Sequence, residues 1–181
     1  MEELHKDHVH LEKVFKVLDQ QAELLSTDAG PDYYLMADIT NYIQHYPDLV
    51  HHPKEDLVYN VFKQRSKEAA EIVEQLQKDH KTLPSETIIL HKILETVINS
   101  VILVSREEVH NQVKIFLDAE RKHMSLEEEF LFPLINKALT EDDWKALENK
   151  ITKKEDPLFK DSVENCYENL YQSIKKHGGL E

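Results

Sequence analysis

Two pairs of stretches, each pair separated by 72 residues, repeat the same polar residue types. "HHPKED" at 51–56 and "HMSLEE" at 123–128 share a His-x-x-x-Glu element, His51 with Glu55 and His123 with Glu127. "LHKDHVHL" at 4–11 and "LQKDHKTL" at 76–83 keep the same offset, agree at five of eight positions, and set His8 over His80. Imidazole and carboxylate are the nitrogen and oxygen donors that transition metals accept. On a helix, positions i and i+4 share a face about 6 Å apart along the axis, so each His-x-x-x-Glu pair can reach one point. His8, His51, Glu55, His80, His123 and Glu127 therefore form a candidate set of four imidazoles and two carboxylates. That exceeds what one tetrahedral zinc needs. Halved by a pseudo-twofold, it suits two metal ions, each with two His, bridged by the two Glu. Mixed ligation with room for water or oxide favours iron, with manganese and zinc as alternatives.

One imidazole in an apolar seam is commonly a satisfied core residue, and single His-x-x-x-Glu pairs arise by chance in acidic helices. The superposition of six such residues under one offset carries the metal reading, because burying them unmatched would be costly. The other histidines do not fit the pattern. His10 is about 200° around the helix from His8 and faces away. His5 flanks the seam at the site's edge, His52 and Asp56 are one step off the ligand face, and His91 is about 16 Å along the helix from His80. His45, His110 and His177 read as solvated or boundary residues. Two asymmetries stand out. Glu12, whose repeat partner is Pro84, is an extra ligand, a proton relay or a surface charge. Tyr59, whose partner is Leu131, is a donor to a carboxylate or a plain core tyrosine.

These residues need helices to position them. The first segment runs Leu4, His8, Leu11, Phe15, Leu18, Ala22, Leu25, the alternating four-three seam of a bundle helix. "STDAGPD" (26–32) breaks it. A second helix is expected from Asp32 to Gln64, kinked or interrupted at Pro47 and Pro53. A third follows Leu76, His80, Leu83, Thr87, Leu90, Leu94, Val97, Val101 and Val104, bent at Pro84. Ser105 with Glu108 fits a capping box opening a fourth helix from Arg106 to Ala138. Thr140 with Asp143 opens a short helix to about Ile151, and a last amphipathic helix ends before Gly178-Gly179. The fold expected is an all-α, up-down-up-down four-helix bundle with an internal repeat over residues 1–139, and a helical extension, 140–179, packed across it.

Composition agrees. Only three glycines and six prolines interrupt 181 residues. A net charge of −13 repels phosphate backbones and anionic lipid, so neither nucleic acid nor a membrane surface is an expected partner. The single cysteine excludes an internal disulfide framework and a cysteine zinc site. No apolar run long enough for a membrane helix and no signal core is present, so the expected location is cytoplasmic.

The elements "KDHVHL", "HHPKEDLVY", "KDHKTL" and "HMSLEEEFLFP" resemble the hemerythrin-like, HHE cation-binding family, and the "LTEDDW…DPLF" tail is similar to that of bacterial members. The resemblance implies a non-haem di-iron centre, often oxo- or hydroxo-bridged, held by His8, His51, Glu55, His80, His123 and Glu127. It departs from the oxygen-carrying hemerythrins, which have five His ligands and place an Asp in the fourth helix. The ligand set is closer to that of proteins that repair damaged iron centres. With fewer His ligands, more coordination positions stay open, which points from reversible oxygen transport toward oxygen, peroxide or nitric oxide reactivity. The expected function is binding, sensing or handling of such a small oxidant, or of iron. A di-iron enzyme and a helical interaction module with a vestigial site stand as alternatives.

Overall fold

The computed structural model describes residues 1–100, 102–151, 154–160, 163 and 165–177, and among them the chain is helical with no strand. α1 (Glu2–Leu24) buries Leu4, His8, Leu11, Phe15, Leu18 and Ala22, so the four-three seam is its inward face. Gly30, at φ +70°, takes the left-handed conformation that reverses the chain. Asp32 then caps α2 (Tyr33–His45) by accepting the Leu35 N–H at 3.0 Å.

The helix expected over 32–64 is in three pieces: α2, a π-helical turn at Pro47–His51, and α3 (His52–Arg65). The cause is local. Pro47 has no N–H to continue the ladder. The N–H groups of Val50 and His51 both reach the Tyr46 carbonyl, at 2.8 and 3.2 Å, and His52 N–H reaches back five residues to Pro47. Pro53 causes no second break, because it falls in the first turn of α3. The helix expected over 106–138 divides in the same way into α5 (Arg106–Leu126), a π-helical turn at Glu127–Leu131, and α6 (Phe132–Ala138). The two π turns are not related by the sequence offset. One ends on His51, whereas the other begins on Glu127, four residues after His123. Ile43 and Ile115, which also stand 72 residues apart, differ in environment, the first buried and the second 54% exposed.

α4 (Ala70–Asn99) carries Pro84 inside it and buries Leu76, His80, Leu83, Thr87, Leu90 and Leu94. It ends five residues before Val104, which packs on the core from the following loop; Val101 lies outside the described residues. Ser105 caps α5 by accepting the Glu108 N–H at 3.1 Å. The box at α7 (Glu141–Glu148) is reciprocal between Thr140 and Asp143, and Asp143 also accepts from Arg65 at 2.6 Å. α8 (Glu168–His177) is the last helix, and the expected stop at Gly178-Gly179 lies outside the described residues.

α2 packs on α4, α4 on α5, α5 on α1 and α1 on α2, while α8 rests on α1 and α2 and α7 on α3. The apolar core is in two parts. Leu11, Phe15, Ile39, Leu90 and Phe116 belong to the larger one, and Leu4, Val58, Leu76, Leu131 and Ile135 to the other. Along α1 the switch falls between Leu4 and Leu11, and His8 stands there. Along α4 it falls between Leu76 and Leu90, and His80 stands there. A polar layer thus separates two apolar layers. Among the described residues no helix is long and apolar enough to cross a membrane.

Candidate metal centre

The six residues singled out by the 72-residue offset converge in that polar layer. Glu55 and Glu127 are fully buried, and His8, His51, His80 and His123 expose 8% or less. The donors divide into two lobes. His8 and His51 pack ring to ring at 4.9 Å, and His80 and His123 at 4.8 Å. Glu55 gives Oε1 to the first lobe, 3.4 Å from His8 Nε2 and 3.3 Å from His51 Nε2, and Oε2 to the second, 3.4 Å from His80 Nε2. Glu127 mirrors it, with Oε2 3.4 Å from His8 Nε2, and Oε1 3.1 Å from His123 Nε2 and 3.5 Å from His80 Nε2. Each carboxylate therefore offers one oxygen to each lobe.

The inward atoms have no hydrogen-bond partner: His8 Nε2, His51 Nε2, both oxygens of Glu55, and Glu127 Oε2. Buried polar atoms without partners are rare in folded proteins. His80 and His123 bring their Nε2 atoms within 3.1 Å of each other, an arrangement that needs a proton or a cation between two lone pairs. This donor set fits transition-metal ions held by imidazole and carboxylate.

Three of the four outward imidazole nitrogens donate to carboxylates, and the fourth, His123 Nδ1, faces one without a hydrogen bond. His8 Nδ1 donates to Glu128 at 2.7 Å, His51 Nδ1 to Asp7 at 3.0 Å, and His80 Nδ1 to Asp56 at 3.0 Å; Asp79 stands 3.6 Å from His123 Nδ1. An ionised carboxylate only accepts, so each bond fixes the proton on Nδ1 and turns the Nε2 lone pair inward. These four partners obey the same offset as the histidines they serve: 7 to 51 becomes 79 to 123, and 56 to 80 becomes, crosswise, 128 to 8. In the sequence Asp56 stands only one step off the ligand face. In the structure that step aims it at the neighbouring helix.

Protonation follows the same geometry. Burial pushes the His8 imidazolium down, but the bond to Glu128 and the Glu55 carboxylate close by overcome this and raise it to about 10. At His80 burial is overcome by Asp56, Glu127 and Glu55, giving about 11, and at His123 by Glu127 and Asp79, giving about 9. His51 is raised too, against burial, by Glu55 and Asp7. Burial and the Glu55 charge both push Glu127 up, yet His123 and His80 bring it down to about 2. The layer is built to hold positive charge at its centre.

Other residues take places that spacing did not give them. His52, one step off the ligand face in the sequence, is buried. Its ring stacks on His80 at 4.6 Å, and one of its nitrogens joins Glu55, His80 and His123 in a group whose donor atoms lie within 4.8 Å of one another. Its Nδ1 is 3.6 Å from Asp48 and without a hydrogen-bond partner. The displaced register of the π turn brings it inward. Asp48 and Glu120 lie buried nearby, and burial raises their carboxyls to about 7 and about 8. Tyr59 donates its hydroxyl to Glu127 Oε1, which selects the donor role over the plain core role. Glu12 is no ligand. It pairs with Arg121 at 3.1 Å on a partly exposed face. His5 sits at the edge as expected, bonded to Glu128 at 3.0 Å. His91 meets Thr40, and His45 its own helix at Asn41, both away from the centre.

No family model, no curated protein and no solved structure matches the chain.

Proposed function

We propose that the chain is a hemerythrin-like four-helix bundle over residues 1–139 with a helical extension over 140–179, and that it holds two iron ions at the His/Glu layer to bind or sense a small oxidant: oxygen, peroxide or nitric oxide. One observation carries the reading. Glu55 and Glu127 each divide their two oxygens between the same two imidazole pairs, an arrangement in which both carboxylates would serve two ions. His8 and His51 would hold one ion and His80 and His123 the other, with both carboxylates shared.

Bound iron supplies Lewis acidity and one-electron chemistry. The protein does the rest. Asp7, Asp56 and Glu128 orient three of the imidazoles. Tyr59 keeps a hydroxyl proton against Glu127 Oε1, so a proton donor stands beside the shared oxygen. Phe132 stacks on His8 at 5.4 Å and belongs with Leu4 and Leu131 to one apolar cluster. A surface groove of about 440 Å³ between α4 and α5 has Asp79, Leu83, Ala119 and His123 in its wall, which brings this side of the layer next to solvent.

The test is anaerobic loading with ferrous iron, elemental analysis, and optical spectra before and after oxygen, hydrogen peroxide and nitric oxide. Two irons per chain and a ligand-dependent spectrum support the reading. Less than one metal per chain sinks it. Sustained consumption of peroxide over many turnovers would make the protein an enzyme rather than a binder or sensor.

A further inference from the structure

Asp7 faces two ways. One side accepts from His51. The other meets a polar cluster outside the layer, made with His10 from the same face of α1 and Asp156 from the segment after α7. Donor atoms of Asp7, His10 and Asp156 all lie within 4.8 Å of one another. His10 Nδ1 is 3.4 Å from Asp156 Oδ2, yet it is buried and makes no hydrogen bond. The imidazole is not free to turn away, because its ring stacks on Phe159 at 3.9 Å with the planes 14° apart. The carboxylates are fixed as well. Asp156 accepts the Tyr42 hydroxyl at 3.0 Å and the Leu158 N–H at 2.9 Å, and Asp7 accepts the Tyr46 hydroxyl at 3.3 Å. Hydroxyl and amide donors orient an anion without cancelling its charge.

A cavity of about 270 Å³, with Glu3, Lys6, Tyr46, Lys154, Glu155 and Lys160 in its wall, leads from solvent to the three residues, so a cation there shares the carboxylates' field with three lysines. One of the three spacings is already that of a coordination shell, and the others lie within 4.8 Å. Metal–donor bonds of 2.0–2.2 Å in a tetrahedron imply donor separations of about 3.3–3.6 Å, and the His10–Asp156 separation is 3.4 Å.

We propose that Asp7, His10 and Asp156 form a mononuclear site for a divalent transition cation, with water completing the shell from the cavity. Such an ion ties α1 to the segment after α7. It also shares Asp7 with His51, so its occupancy is linked to the orientation of an imidazole in the His/Glu layer. The three donors of this site are none of the six of the layer, so its presence does not rest on which metal that layer binds.

The probe is zinc, which is redox-silent, measured by equilibrium dialysis and elemental analysis on the full chain. His10→Phe keeps the stack on Phe159 and removes the donor nitrogen. Asp156→Asn keeps an acceptor for Tyr42 and removes the charge. Each is expected to bind one zinc fewer per chain than wild type, whatever the wild-type count: three against two if the His/Glu layer also fills, one against none if it does not. His123→Ala is expected to retain the zinc that His10→Phe loses. Equal zinc in wild type and both variants, with helical circular dichroism intact, overturns the site. As a measurement that needs no variant, the imidazole nitrogen resonances of His10 in wild type should shift on zinc addition; unchanged resonances at saturating zinc overturn the site as well.

Discussion

Asp7 accepts the Nδ1–H of His51 at 3.0 Å, so an α1 residue adjacent to one candidate ligand orients another candidate ligand in a different helix. Asp7→Asn retains an acceptor but loses the charge that makes Nε2 a better donor. Removing such a partner typically costs 10–100-fold in metal affinity. We expect Asp7→Asn to keep the metal count of the His/Glu layer at saturation and to weaken binding by about that factor. Chelator competition measures this, and an unchanged affinity would refute the orienting role.

His51→Ala with His123→Ala removes one imidazole from each lobe and is expected to abolish dinuclear binding. His52→Ala is expected to differ. Its ring covers His80 and stands beside the second lobe. The variant should keep two irons while weakening one of them. Two-phase chelator release in His52→Ala, against wild type, checks this; equal loss of both ions would mean His52 serves the whole layer.

Tyr59→Phe removes the hydroxyl that donates to Glu127. A hydrogen bond to a buried charged group is worth about 1.5–3 kcal/mol, and the metal-free chain should lose stability of that order in urea denaturation. Iron stoichiometry should be unchanged, because Tyr59 is not among the candidate ligands. A loss of iron in Tyr59→Phe would reassign it.

The metal-free chain should be most stable in mildly acidic solution. Folded His8, His80 and His123 are raised to about 10, 11 and 9 from 6.5. A raised imidazole contributes stability that is fully present below the unfolded value and is lost as pH rises through the folded value. Glu127, lowered to about 2 from 4.5, acts in the opposite sense: its contribution is present above 4.5 and lost as pH falls toward 2. Urea midpoints should therefore fall from about pH 6 to about pH 10 and also fall below about pH 4. With metal bound the alkaline loss should vanish, because the cation takes the place of the protons. A metal-free midpoint that rises between pH 6 and 10 would contradict the protonation pattern.

The six donors were legible because their types recur at a fixed offset, and chance does not align four imidazoles and two carboxylates. Helix periodicity was equally legible: Leu4, His8, Leu11, Phe15 and Leu18 share one stripe in any α-helix, whatever they pack against. The sequence by itself determined an all-helical chain with polar residues inserted at matched points of apolar seams. Only the tertiary structure decided which carboxylate serves which imidazole. Asp7 meets His51 and Asp56 meets His80 across helix boundaries, and no spacing within one helix encodes that. It also decided the role of His52. The π turn at Pro47–His51, five residues per hydrogen-bonded loop rather than four, rotates the following residues off the face that a continuous helix would give them. The Asp7–His10–Asp156 cluster belongs to the same class, because Asp156 comes from 146 residues beyond His10 and only packing of the chain after α7 against α1 unites them.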